Sequence, residues 1–128
     1  MITISSFINN TGSEIMKMDA NQIQLEPKKL QHIKEYLIRA LKPQKIILFG
    51  SRAESRAREE SDVDLLVILD VPIDRKLYFN ISSHLKREIG LNVQLIFMQK
   101  DTYEETKEII GGIANPATKY GVLIYENA

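Results

Sequence analysis

The hydrophobic positions of this sequence repeat with a helical period in four segments. In residues 27–42 apolar side chains recur every three or four positions, and in residues 73–89 they recur every fourth position. Pro27 is suited to the first residue of a helix, and Gly90 is suited to a helix end. Shorter helical patterns occupy residues 101–110, which end before two glycines, and residues 117–120.

Between these segments lie short apolar runs that predict β-strands. The runs are KIILFG (45–50), DVDLLVIL (62–69), LNVQLIFM (91–98) and VLIYE (122–126). The second run is apolar on both faces after its two aspartates, which predicts a central strand. With SRAESRARE as a short helix or tight loop, helices and strands alternate, and we expect an α/β fold with helices packed against a small sheet.

The first part of the chain lacks this patterning. Residues 1–26 are polar and are predicted to form a flexible N-terminal arm, and residues 27–128 are predicted to form one domain. The N-terminus lacks the basic region and long apolar core of a signal peptide, and no apolar run is long enough to span a bilayer. We therefore expect a cytoplasmic protein without membrane contact.

Charge and composition exclude several functional classes. The 128 residues include 17 basic and 17 acidic side chains, a balance that argues against general nucleic-acid binding. Cysteine is absent, which excludes disulfides and thiolate metal sites.

Asp62 and Asp64 are the first candidates for chemistry. On a strand, residues two apart point to the same face, so these carboxylates are expected to lie side by side. Their repulsion is relieved by a hard divalent cation, since Mg²⁺ binds oxygen ligands and takes one or two carboxylates together with phosphates. The alternative is a charged turn with a solvated aspartate pair.

Gly50 and Ser51 are the second candidates, because they follow a strand at a predicted turn. Free backbone N–H groups there attract phosphate, glycine permits close approach, and the Ser51 hydroxyl adds a donor. Arg52 is a candidate for added positive charge or for a solvent-facing side chain. A phosphate site beside a carboxylate pair is typical of metal-assisted phosphoryl or nucleotidyl transfer.

Gly50-Ser51, a spacer of ten residues and then Asp62-Val63-Asp64 resemble the signature of the polymerase beta-like nucleotidyltransferase superfamily. FGSRAESRAREESDVDLLV is most similar to its minimal nucleotidyltransferase branch, and the resemblance extends over about residues 27–126. It implies the superfamily's fold, with a small mixed sheet. It also implies a nucleoside triphosphate, with ATP expected, held by Gly50, Ser51 and Arg52, and Mg²⁺ ligated by the catalytic Asp62 and Asp64.

The resemblance also implies a third carboxylate on the next strand, near the attacking hydroxyl. In this sequence that position is Gln94, which has no charge and cannot act as a base. This departure leaves the expectation of nucleotide binding in place and puts catalysis in question.

Three functional hypotheses remain open at this point. The minimal branch often accompanies a helical HEPN-type protein, so one is an antitoxin-like enzyme that transfers AMP to a hydroxyl of such a partner. A chain of 128 residues leaves little room for an acceptor domain, which agrees with a separate acceptor. The second is a binding module that neutralises its partner by contact, which Gln94 favours. The third, an antibiotic-modifying enzyme, is disfavoured by the same small size, and homo-oligomerisation is an open alternative.

Overall fold

The computed structural model describes residues 22–127 of the chain. In order, they form α1 (Pro27–Leu41), β1 (Lys45–Phe49), a 3₁₀ turn (Ser51–Ala53), β2 (Val63–Leu69), α2 (Arg75–Ile89), β3 (Val93–Gln99), α3 (Lys100–Thr106), α4 (Ala114–Tyr120) and β4 (Val122–Glu126). The predicted α/β class and the predicted alternation of elements are confirmed.

The four strands form one mixed sheet in the order β3-β2-β1-β4. β1 pairs antiparallel with both β2 and β4, whereas β2 and β3 are parallel and are joined through α2. Every residue of β2 except Asp64 is buried. The strand that was predicted to be central from its apolar faces is therefore internal to the sheet, as its sequence pattern requires.

Helices cover both faces of the sheet. On one face α1 and α2 pack through apolar residues of their helical repeats onto Leu48, Leu65 and Val67. On the other face α3 and α4 pack onto Ile47, Leu66 and Ile68, with Tyr103 fully buried between them. Side chains alternate between these two faces along each strand. Asp64, two residues before Leu66, therefore belongs to the face that carries α3 and α4.

The third helix is shorter than its sequence predicted, since α3 ends at Thr106 and not at residue 110. The Thr106 hydroxyl donates to the Thr102 carbonyl, and the Ile109 amide donates to the Thr106 carbonyl in a tighter turn. Ile109 and Ile110 are 57% and 87% exposed. The two isoleucines have no core surface to pack on, so the apolar face that would extend the helix is missing.

The last residues of the predicted N-terminal arm are packed in this structure. Ile23 and Leu25 contact the core beneath α1 and α2, and Gln24 is hydrogen-bonded to the loop that follows β1. Residues 1–21, the rest of the predicted arm, lie outside the described residues. Within residues 22–127, no helix is long and apolar enough to cross a membrane.

Candidate active site

The two aspartates of the motif lie where β2 begins. Asp62 immediately precedes the strand and is exposed, while Asp64 is its second residue and is partly buried. The β1–β2 register places Asp64 opposite Phe49, the last residue of β1. Because Gly50 follows Phe49 directly, antiparallel pairing brings the glycine turn and the carboxylate to the same edge of the sheet.

Gly50 is in contact with the side chain of Asp64. A Cβ atom placed on Gly50 would lie 2.3 Å from Asp64 Oδ2 and 3.2 Å from Asp64 Cγ. Gly50 also has φ 77° and ψ −160°, a conformation that is essentially restricted to glycine. Glycine is required here twice, for the backbone turn and for the space that the carboxylate occupies.

The carboxylate of Asp64 is incompletely satisfied within the described residues. Its Oδ1 atom is shielded from solvent and accepts no hydrogen bond. Burial, and secondly the charge of Asp62, raise the pKa of the Asp64 carboxyl above its ordinary value. Asp62 is exposed, as the alternative interpretation of a solvated pair requires, but Asp64 is partly buried. A hard cation would satisfy the unpartnered oxygen and the repulsion together, so this donor set fits Mg²⁺.

The 3₁₀ turn after Gly50 supplies backbone donors beside this carboxylate. Within the turn, the Ala53 amide donates to the Gly50 carbonyl over 3.0 Å, and the Glu54 amide donates to the Ser51 carbonyl over 3.2 Å. The amides of Ser51 and Arg52 take no part in these bonds, as is usual for the first residues of a helical turn. The arrangement can present N–H groups to an anion next to Asp64.

The side chain of Arg52 makes its hydrogen bonds within the protein. Arg52 is buried, and its guanidinium donates to the backbone carbonyls of Gln24, Arg58, Glu59 and Ser61. Four hydrogen bonds engage most of the five N–H donors of the group. Because these donors are already engaged by the protein, the contact of Arg52 with a nucleotide stays a prediction that its backbone amide, and not its guanidinium, would have to meet.

Gln94 lies on the strand next to Asp64. The parallel β2–β3 register pairs Asp64 directly with Gln94, and paired residues of neighbouring strands share a face. Gln94 is exposed. Among residues 22–127, no group of three or more aspartate, glutamate, histidine or cysteine side chains is arranged to hold a metal. The carboxylates at this site are thus a pair, with an amide at the neighbouring position.

The two histidines, His32 and His84, contact neighbouring side chains of the helices and are not part of the candidate site. The ring of His84 stacks on Tyr36 with centroids 4.1 Å apart, and His32 lies 3.9 Å from a carboxylate oxygen of Glu88.

Two contacts near the site could not be predicted from the sequence. Gln24 was not expected there, because a glutamine in a polar segment carries no signal of a distant contact. The Gly50–Asp64 contact depends on strand pairing, which the motif alone does not reveal.

Comparison with known proteins gives a family and a fold. The sequence matches the family described as Polymerase beta, Nucleotidyltransferase over residues 31–127. No curated protein gives a significant sequence match.

Several solved structures share the fold at low sequence identity. A toxin–antitoxin complex with AMP-PNP aligns with a TM-score of 0.60 and 18% identity, over 80% of this chain and 75% of that chain. A mutant of the toxin–antitoxin pair MntA–HpeT aligns with a TM-score of 0.56 and 19% identity, over 77% and 73%. A protein assigned as a nucleotidyltransferase from Sulfolobus solfataricus aligns with a TM-score of 0.52 and 19% identity, over 78% and 79%.

Proposed function

This chain belongs to the polymerase beta nucleotidyltransferase family, and on that premise we propose that it binds a nucleoside triphosphate with Mg²⁺ and transfers a nucleotidyl group. The observation that carries this proposal is the unpartnered Oδ1 of Asp64, in a carboxylate whose Oδ2 lies against Gly50 and whose pKa is raised by the charge of Asp62 as well as by burial. ATP is the expected nucleotide, so the group transferred would be AMP. AMP-PNP, an ATP-like ligand, accompanies one of the toxin–antitoxin complexes that share the fold.

Asp62 and Asp64 are proposed to hold Mg²⁺ through their carboxylate oxygens. Bound there, Mg²⁺ would neutralise triphosphate charge and polarise the phosphorus that is attacked. The protein's own contribution is electrostatic positioning: the Ser51 and Arg52 amides and the Ser51 hydroxyl would donate to phosphate oxygens. Since Gly50 has no side chain, the Asp64 carboxylate can lie against its backbone, next to the turn amides that would bind the phosphates.

The acceptor is proposed to be a hydroxyl on a separate, HEPN-type helical protein, with this chain as its antitoxin. The motif's resemblance to the minimal branch supports this, and so do toxin–antitoxin complexes among the structures that share its fold. In the reaction, the acceptor oxygen would form a bond to the α-phosphorus of ATP, and pyrophosphate would leave. The domain is proposed to comprise residues 27–128, as the sequence pattern predicted, with residues 22–26 packed against it.

A second candidate function is neutralisation of the partner by contact, with slow or absent transfer. The observation that favours it is the pairing of Asp64 with Gln94, because an amide cannot take a proton from the acceptor. Both candidates share the nucleotide site and differ only in turnover.

One experiment separates the two candidates. The purified chain is incubated with α-labelled ATP and a co-purified HEPN-type partner, with Mg²⁺ or with a chelator. Covalent label on the partner, dependent on Mg²⁺ and absent in Asp64→Asn, supports the enzyme. If the chain neutralises the activity of the partner but the partner carries no label, the result supports the contact mechanism. A partner that neither binds the chain nor is labelled contradicts both candidate functions.

A further inference from the structure

The loop between Gly50-Ser51 and Asp62 is hydrogen-bonded to a buried arginine side chain. Arg52 is 6% exposed, although arginine is rarely buried. Its Nε donates to the Ser61 carbonyl over 2.9 Å, and its Nη2 donates to the Glu59 carbonyl over 2.9 Å and to the Arg58 carbonyl over 3.3 Å. All three acceptors fall within the four residues that precede Asp62. The guanidinium therefore fixes the end of the loop from which Asp62 projects.

Gln24 is hydrogen-bonded to both Arg52 and the same loop. Its backbone amide donates to the Arg52 carbonyl over 2.8 Å, and its own carbonyl accepts from Arg52 Nη1. Its side-chain Oε1 accepts from the amide of Ala57, in the middle of the loop. These contacts join residues about thirty positions apart, since their separations are 28 and 33. Residue 24 is thereby part of the architecture of the site.

The other hydrogen bonds of the loop are mostly short-range. The Arg56 amide donates to the Ser51 carbonyl, and the Arg58 amide donates to Ser61 Oγ. Residues 55 and 56 and residues 58–60 are exposed, so apolar packing holds little of it in place. Loops with exposed backbone and few buried contacts belong to the least stable parts of a fold. Before Asp62, the chain is then held mainly by hydrogen bonds to this segment, and after it the Val63 amide donates to the Asn92 carbonyl.

We propose that the side chains of Arg52 and Gln24 are positioning groups, which set the affinity of the site for Mg²⁺ and nucleotide by holding Asp62 beside Asp64 without themselves touching the ligand. The proposal rests on the proposed function for its ligand. Groups that orient metal ligands typically contribute about 10- to 100-fold to metal affinity. Arginine suits this task because its planar fork reaches several carbonyls at once, which the single ammonium of lysine cannot do.

This difference between arginine and lysine separates positioning from direct phosphate contact. If Arg52 acted on the nucleotide through its charge, Arg52→Lys would keep most of the Mg·ATP affinity. If it acts by holding three loop carbonyls, Arg52→Lys should weaken Mg·ATP binding about as much as the neutral Arg52→Gln does, by roughly 10- to 100-fold. Gln24→Ala, a milder change that removes the Ala57 bond alone, should cause a smaller loss.

Two measurements on the full chain test the proposal. Hydrogen exchange without ligand reports whether the Ala57 and Arg58 amides are protected, and calorimetric titration reports Mg·ATP affinity. Ile68→Val serves as the matched control, because Ile68 is buried near the opposite end of β2 and its truncation lowers stability without touching the loop.

The expected result is faster exchange at Ala57 and Arg58 and weaker Mg·ATP binding in Arg52→Lys, with both unchanged in Ile68→Val. Unchanged exchange in Arg52→Lys and Gln24→Ala would overturn the proposal, and so would faster exchange with full Mg·ATP affinity. A wild type that binds no Mg·ATP would contradict the proposed function, and the positioning role would fall with it. Normal wild-type binding with unaffected variants would overturn the positioning role alone.

Discussion

The carboxylate of Asp64 fills the space that a side chain on Gly50 would need, with its Oδ2 only 2.3 Å from the site of that missing Cβ. The two residues are fourteen positions apart in the sequence and meet because β1 and β2 pair antiparallel, with Phe49 opposite Asp64. The glycine of the turn and the second aspartate of the motif are thus one structural unit.

Gly50→Ala should therefore be much more harmful than alanine at another glycine of positive φ. The added methyl group must displace Asp64, and the backbone strain alone costs about 1–3 kcal/mol. We expect loss of Mg·ATP binding and a fall in the free energy of unfolding beyond that strain. Gly90→Ala is the control, since Gly90 has φ 80° with no atom within 4 Å of its Cβ position. Urea unfolding of both variants measures the free energy of unfolding. Equal losses in Gly50→Ala and Gly90→Ala would contradict the contact between Gly50 and Asp64.

Asp64→Asn should change the pH dependence of stability in the absence of metal. Burial, then the charge of Asp62, raise the pKa of Asp64, so the folded chain keeps this proton to higher pH than the unfolded chain. From the unfolded pKa of about 4 up to the raised folded pKa, the free energy of unfolding therefore falls as pH rises. Asp64→Asn should lack this fall and be more stable than wild type at neutral pH.

Urea unfolding across a pH series with a chelator present measures this effect. Asp62→Asn is the companion variant, because it removes the charge of Asp62 and leaves the burial of Asp64, the larger cause of the raised pKa. In this variant the free energy of unfolding should still fall as pH rises, but by less than in the wild type. Saturating Mg²⁺ should restore stability to wild type at neutral pH, since it binds the folded state. A wild-type profile identical to that of Asp64→Asn would show that Asp64 titrates normally.

Gln94→Asp should create the carboxylate that the site lacks. Asp64 and Gln94 are directly paired, so the new charge lies beside the existing one and should destabilise the metal-free protein. With Mg²⁺ and acceptor present, general-base assistance should raise the rate of transfer by up to about 10²–10⁴. Gln94→Asn has the shape of the aspartate without its charge and should give no gain.

Single-turnover transfer of label from α-labelled ATP measures the rates of wild type, Gln94→Asp and Gln94→Asn. Fast transfer by the wild type that Gln94→Asp fails to increase would show that another residue serves as the base.

The sequence was sufficient for the order of the elements and for the place of the two aspartates in the fold. The apolar run of β2 predicted an internal strand, and the spacing of Asp62 and Asp64 predicted two carboxylates where that strand begins. Both follow from local periodicity, which tertiary contacts rarely reverse in a buried strand.

What the sequence could not show depends on contacts between distant residues. Arg52 was expected beside a phosphate or in solvent, and its burial could not be foreseen because its acceptors are backbone carbonyls, which every residue has. Gln24 belonged to a polar segment without pattern, and its role arises only from the packing of residues 22–26 against the loop. The length of α3 was overestimated because two adjacent isoleucines resemble a buried face in sequence and are exposed in the fold.

Calorimetric titration of Mg·ATP into the wild type and into Asp64→Asn tests the central claim most directly. Each protein is titrated with Mg²⁺ and, separately, with a chelator, after its fold has been verified by circular dichroism. We expect the wild type to bind ATP only with Mg²⁺, and Asp64→Asn, although folded and at least as stable, to lose that metal-dependent binding. Equal Mg·ATP affinity in the two proteins, or no binding by the wild type, would contradict the assignment of this site.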